Sequence, residues 1–477
     1  MKRRTSPEPE ERSAKRRLEP EEEASSEALS VLLEIGDILA SAQPPASPES
    51  PPSEADLSGQ TPDAESLKKL ASSHGQMLRR LTVPSFDCSP EELVRALTPC
   101  ANLEELVLCG DAPFNGAATC SPTADLSCGV VSSILDSFPR LRRLRCAIKA
   151  PGNRRLPTRL GVALELCCIV PATFSVTAEQ EAARCERAAL SPVAALHIGA
   201  TGPPPDAFAS NLAKNRGLGA LTVVSGYQEE KWASAVWAAL RNGCKAREVS
   251  LRPFPGGSVN DCVFPDTLST LRLTASGFSA AKAQLLFQRA ALGSLTALDV
   301  SDAMESPTAY VAAEALRALP TLTALTDLTV TLDDYPKKGQ DMKEITRIAG
   351  RSVAAAPALR RLRLGYLKGP VTHILFGLKA HPTLEEVNIR DCGFITDTDA
   401  SVLVSVILCN KALKLLTLRL HEEEFTVSGA GFLSGPLASQ SRLMLGVAWG
   451  HFLKPDVKQL LLRTGRRMLL DVSRENE

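Results

Sequence analysis

Aromatic residues are scarce in this 477-residue chain, which has 14 Phe, 4 Tyr and 3 Trp, 4% in all. A protein that stacks nucleotide bases needs aromatics interleaved with basic residues. No such arrangement occurs, so nucleic acid is not an expected partner. Net charge is missing too: 54 Lys and Arg balance 54 Asp and Glu, and no global field draws the chain to a polyanion or an acidic membrane. No apolar run reaches the roughly 18 residues of a spanning helix, so no membrane association is expected. Met1-Lys2-Arg3-Arg4 leads into Pro and Glu rather than an apolar core, so no secretory signal is read there. The expectation is a soluble, intracellular chain. Its 13 cysteines then read as reduced core thiols, and none has the CxxC pairing of a zinc site.

Catalytic groupings are missing as well. The histidines (His74, His197, His373, His381, His421 and His451) are scattered. No HExxH, no GxSxG and no glycine-rich loop ending in Lys-Ser or Lys-Thr occurs. Neither enzyme activity, a cofactor nor a metal is expected.

What is present is a recurring phrase, LxxLxL. It stands at Leu103-Glu-Glu-Leu106-Val-Leu108, Leu218-Gly-Ala-Leu221-Thr-Val223, Leu268-Ser-Thr-Leu271-Arg-Leu273 and Leu295-Thr-Ala-Leu298-Asp-Val300. It returns at Leu325-Thr-Asp-Leu328-Thr-Val330, Leu359-Arg-Arg-Leu362-Arg-Leu364, Leu384-Glu-Glu-Val387-Asn-Ile389 and Leu413-Lys-Leu-Leu416-Thr-Leu418. The interval is roughly 22–34 residues where the register is clear, as in leucine-rich repeats. In a strand, side chains alternate. The fourth and sixth positions therefore point inward, and the third and fifth face solvent. Between phrases lie helix signals. Ser89-Pro-Glu-Glu92 is a capping box with proline at the first helical position. Stops before Pro occur at Leu319-Pro320, Ala356-Pro357 and His381-Pro382. The pattern predicts an α/β solenoid, with parallel strands on a concave face and helices on a convex one.

The stretch Leu384-Glu-Glu-Val-Asn-Ile-Arg-Asp-Cys392-Gly-Phe-Ile395-Thr396-Asp397 resembles the cysteine-containing leucine-rich repeat, LxxLxLxxCxxITD. The helix in every unit is similar to the ribonuclease-inhibitor class. The resemblance spans roughly residues 64–445 and implies a leucine-rich-repeat solenoid. It also implies that Cys392 is buried at the end of its strand and that Ile395-Thr396-Asp397 starts the return helix. Most units depart from the pattern after the strand. Leu108-Cys-Gly-Asp111, Val300-Ser-Asp-Ala303 and Leu364-Gly-Tyr-Leu367 all differ, so irregular turns are expected. Function is not implied, because this architecture hosts many roles. Segment 25–40 lacks the Leu-Pro start, the length and the later Trp of an F-box. No residue matches the functional Arg of the Ran GTPase-activating protein architecture.

Three regions follow. Residues 1–63 are expected to be a disordered tail, rich in Pro, Glu and Ser. Residues 64–453 are the solenoid. Residues 454–477 form a helical cap and tail, which a solenoid needs over its last open face. The tail has no Lys or Arg from Leu18 to Ser66. Before that, Lys2, Arg3 and Arg4 are followed by Lys15, Arg16 and Arg17, the layout of a bipartite nuclear localisation signal that importin would read. The other reading is a basic patch on a tail. Apolar residues in segment 25–40 fall partly on one helical face, as a docking helix or as a transient one. Residues 111–185 break the period, either as irregular solenoid or as insertion.

Stacked strands lie about 4.8 Å apart, which places Arg361, Arg363, Arg390 and Arg419 in one patch with Glu386 and Asn388. Arginine's planar fork suits carboxylate or phosphate. The patch is the expected partner-binding surface; pairing of Arg with Glu inside it is the alternative. The resulting expectation is a nuclear, non-enzymatic scaffold or adaptor that binds another protein on the concave face. A ubiquitin-ligase substrate receptor without an F-box and a GTPase regulator of RanGAP-like architecture are the alternatives.

Overall fold

In the computed structural model, residues 53–57, 60–83, 85–108, 125–148, 162–169, 193–200, 202–225, 228–276, 278–290, 293–302, 310–332, 342–367, 369–379, 381–389, 392–440, 442–448, 453–463 and 468–470 are described, with single residues between 182 and 189. The chain divides at Ser53, and residues 53–477 form one unit. The two basic clusters and segment 25–40 lie outside the described residues.

Among the described residues, seventeen strands form one parallel sheet. It begins at Glu54–Asp56, which pairs with Arg80–Thr82, then Glu105–Val107, then Arg143–Ile148. It continues through Ala163–Ile169, Ala195–Ala200, Ala220–Ser225, Glu248–Pro255 and Thr270–Ser276. Ala297–Asp302, Asp327–Thr331, Arg361–Gly365, Glu386–Asn388, Leu415–Arg419, Met444–Ala448 and Met468–Leu470 follow, and the two-residue strand Asp125–Leu126, paired with Arg143–Ile148, makes the seventeenth. Parallel neighbours need a crossover, and helices supply most of them. Those of the C-terminal half are Tyr310–Ala318, Met342–Ala354, Val371–Leu378, Asp397–Cys409 and Val427–Ser439. The product is an α/β solenoid of repeated strand–helix units.

The leucine phrase accounts for the stacking. Val249, Leu271, Leu298, Leu328, Leu362, Val387, Leu416 and Leu445 stand opposite one another, strand to strand, and all are buried. Burying one such side chain is worth about 1.5–3 kcal/mol, whereas an exposed ion pair contributes about 0–1 kcal/mol. The apolar rows, not the charges flanking them, hold the units together.

The corner before two successive phrases is fixed by a polar side chain three residues upstream. Asn410 Oδ1 accepts the amides of Ala412 and Leu413 at 3.0 and 2.9 Å, while its Nδ2 donates to the Leu378 carbonyl at 2.7 Å. His381 holds the same place one unit earlier. Its Nδ1 accepts the Leu384 amide at 3.1 Å, and burial pushes the imidazole below its usual pKa. A histidine that looks stray in sequence is thus a structural acceptor. Cys392 is buried, with its Sγ 3.0 Å from the Leu364 carbonyl oxygen.

Two boundaries differ from expectation. The tail does not run to residue 63: Glu54–Asp56 is already a strand, with Ala55 opposite Leu81. Three extended residues need only an edge to pair with, and so carry little hydrophobic signal. The C-terminal cap is not helix alone. Pro455–Leu462 is followed by Met468–Leu470, which joins the sheet beside Met444–Ala448. The irregular stretch keeps the sheet continuous. Leu164 stands opposite Leu144 on one side, and Leu166 opposite Leu196 on the other. A two-residue offset leaves every side chain on its own face, which blurs the period without breaking the stack.

Candidate functional site

The solvent face of the sheet is built from the third and fifth positions of each phrase. Two rows run along it. One reads Glu248, Thr270, Ala297, Asp327, Arg361, Glu386, Leu415 and Met444. The other reads Ser250, Arg272, Asp299, Thr329, Arg363, Asn388, Thr417 and Gly446 over the same strands. The expected patch residues Arg361, Arg363, Glu386 and Asn388 are therefore brought together. Arg361 stands opposite Glu386, and Arg363 opposite Asn388. Arg419 ends the next strand but one, and Arg390 lies outside the described residues.

Their surroundings differ. The Arg361 Nε donates to the Asp327 carboxylate on the preceding strand, and that hydrogen bond holds the guanidinium above its usual pKa. Arg361 is thus engaged within the sheet. Arg419 lies over the Phe394 ring, 4.5 Å from its centroid, a cation–π contact. The imidazole of His421 meets the same ring edge-on at 5.0 Å and accepts the Glu424 amide at 3.0 Å on Nδ1. Phe394 stays 44% exposed between them. Arg363 is exposed and acts electrostatically on Asp299.

Asp299 is half-buried on the sheet face. Burial pushes its carboxyl above the usual carboxylate range, although Arg252, Arg272 and Arg363 pull the other way. Neither Asp299, Arg272 nor Thr329 figured in the sequence expectation. The signal was available: Leu271-Arg272-Leu273, Leu298-Asp299-Val300 and Leu328-Thr329-Val330 place them at the same fifth position as Arg363.

Elsewhere the charges pair among themselves. Glu105 lies 3.6 Å from Arg80 and 2.8 Å from Arg143, and Arg143 also donates to Glu165 at 2.6 Å. On the strand-start edge, Glu385 lies 3.6 Å from Arg360 and 2.5 Å from Lys414. Among the described residues no three His, Cys, Asp or Glu side chains converge as a metal site. No described helix is long and apolar enough to cross a membrane.

No protein-family model matches the chain, and no curated protein does. Similar solved structures include the following two. The actin-binding site 2 of leiomodin-1 aligns with 33% of this chain and 91% of its own, at 16% identity and a TM-score of 0.25. The yeast Rad7 and Elc1 complex aligns with 94% of this chain and 92% of that chain, at 13% identity and a TM-score of 0.41. The assignment of a solenoid rests on the strand register itself.

Proposed function

We propose that this protein is a non-enzymatic scaffold or adaptor of the leucine-rich-repeat superfamily, holding a partner protein on the solvent face of its C-terminal strands. The observation that supports this reading is the juxtaposition of Arg363, Glu386 and Asn388 on neighbouring strands, with the Phe394–Arg419 pair beside them. Such a surface offers an exposed aromatic and an exposed arginine over several strand widths. Aromatic and Arg side chains are the groups that dominate protein interfaces. An aromatic that remains accessible while a cation and an imidazole fix its ring is preorganised for contact.

The test is affinity purification with mass spectrometry, comparing wild type with an Arg363→Glu/Arg419→Glu variant whose thermal unfolding shows it folded. A partner captured by wild type and lost from the variant supports the reading, and identical capture by both overturns it. Co-purifying cullin components would instead mark a ligase receptor. The Lys2-Arg3-Arg4 and Lys15-Arg16-Arg17 clusters would carry the complex into the nucleus through importin. Changing both clusters to alanine in a fluorescent fusion should leave the protein cytoplasmic; unchanged nuclear signal would remove importin from the account.

A further inference from the structure

On the strand-start edge of the sheet, four successive corners enclose an open cleft of about 310 Å³, lined by Arg360, Glu385, Lys411, Lys414 and Arg442 among others. These residues stand just before the strands Arg361–Gly365, Glu386–Asn388, Leu415–Arg419 and Met444–Ala448. The Glu385 amide donates to the Arg360 carbonyl at 2.8 Å, and the Lys414 amide donates to the Glu385 carbonyl at 2.7 Å, which sets the three side by side. Their side chains meet as well: the Glu385 carboxylate lies 3.6 Å from Arg360 and 2.5 Å from Lys414. The hydrogen bond from Lys414 holds that carboxyl below the usual carboxylate range. The cleft thus already stabilises one carboxylate between two cations.

Charge decides what else fits. Four cations of the lining face one carboxylate. Arg361 also acts on Glu385, and Asp327 and Glu386 act on Arg361 in turn. Counting all three still leaves five cations against three carboxylates, an excess of two positive charges. Among the described residues, Lys411 and Arg442 have no carboxylate partner; Lys411 donates instead to the Leu408 carbonyl at 2.7 Å. Both are exposed, and a ligand reaches them from solvent. Size narrows the choice. Adjacent strands lie about 4.8 Å apart, so four strands span about 14 Å, the length of about four extended residues. The lining has no aromatic side chain on which a base could stack, and a run of phosphates would have to pass Glu385. Carboxylates on separate side chains can straddle it, and the arginine fork matches their geometry.

We propose that this cleft binds an acidic segment of a partner protein, a short extended run rich in Glu or Asp. Lys411 and Arg442 take its carboxylates directly, and Arg360 and Lys414 are shared between the segment and Glu385. Neither Arg363 nor Arg419 lines the cleft, so this is a second contact surface, distinct from the sheet face.

The test uses the full chain and fluorescence anisotropy at low ionic strength, with a labelled oligoglutamate peptide and an oligoglutamine control. Wild type should bind oligoglutamate alone. Lys411→Gln/Arg442→Gln should weaken binding about tenfold, as removal of complementary interface charge does. Glu385→Gln should strengthen it, a gain that damage to the fold would not produce. Lys282→Glu, on the Ala280–Ala290 helix, should leave it unchanged. Equal binding of both peptides, no effect of Lys411→Gln/Arg442→Gln, or an equal loss in Lys282→Glu overturns the proposal. So does an oligonucleotide that binds more tightly than oligoglutamate with the same dependence on Lys411 and Arg442, which would make the cleft a phosphodiester site. The sheet-face reading stands or falls separately, because partner capture by Arg363→Glu/Arg419→Glu is measured without the peptide.

Discussion

Asp397 opens one return helix and caps the next: its Oδ1 accepts the Thr426 amide at 2.8 Å and the Gly429 amide at 3.1 Å, and its Oδ2 accepts the Thr426 hydroxyl at 2.5 Å. A single carboxylate thus satisfies orphan amides at the start of the Val427–Ser439 helix and ties two units together. Burial pushes its pKa up, but these hydrogen bonds outweigh burial and hold it below the usual carboxylate range. A depressed carboxyl contributes stability above its unfolded pKa and loses it as pH falls through the folded one. Asp397→Ala should therefore cost about 1–2 kcal/mol at neutral pH, as the loss of a cap does, with the deficit vanishing in strong acid. Urea midpoints at the two pH values measure it, and a constant deficit would assign the effect to packing instead.

Glu105 sits between two cations on neighbouring strands, Arg80 and Arg143. Reversing it with Glu105→Lys places three like charges in a row. Destabilisation should follow at low ionic strength and shrink in about 1 M salt, where the screening length falls to about 3 Å. Glu105→Gln should cost well under half as much, because exposed pairs are individually weak. Melting temperatures in both buffers decide it. Salt-independent loss in Glu105→Lys would mean that the side chain matters for shape rather than charge.

Cysteine chemistry should separate by burial. Cys100 and Cys262 are buried, and burial pushes their thiols up to about 11 and about 12. Cys409 is exposed at the end of its helix. Only the thiolate alkylates. Brief iodoacetamide treatment of the native protein should label Cys409 and spare Cys100 and Cys262 until denaturant is added, as peptide mapping would show. Early labelling of Cys262 would mean that its unit opens locally.

Much of this architecture was legible because a strand has period two and a leucine at a fixed place in the phrase is a direct report of burial. Leu362, Val387 and Leu416 were assigned inward from spacing alone, and they are. Face assignment also brought Arg361, Arg363, Glu386 and Asn388 together. What spacing does not carry is who pairs with whom. Arg361 belongs to Asp327, a neighbour one unit back, and no feature of Leu359-Arg-Arg-Leu362 distinguishes it from Arg363, which has no such partner. The row through Asp299 is illegible for the same reason: it is made by register across four strands, and each member is an ordinary polar residue in its own repeat. Strand Glu54–Asp56 escaped notice because an edge strand with one apolar residue has no periodicity to detect.

The helix layer makes a sharper demand than the sheet. Gly350 lies in the Met342–Ala354 helix against the start of Val371–Leu378, where a methyl on Gly350 would meet the His373 carbonyl. A methyl on Gly377 would meet the Gly350 carbonyl in turn. Both neighbours are backbone, which cannot rotate away as a flexible side chain would. Two glycines therefore let these helices approach more closely than any pair of side chains permits. In an isolated helix, alanine would be favoured over glycine by about 1 kcal/mol. Here overpacking should reverse the sign, with Gly350→Ala destabilising by about 1–3 kcal/mol. Urea unfolding compares it with Gly431→Ala, an exposed helical position where an added Cβ meets nothing within 4 Å and propensity alone should stabilise. If both variants shift the same way, the close approach of the two helices is not what constrains Gly350.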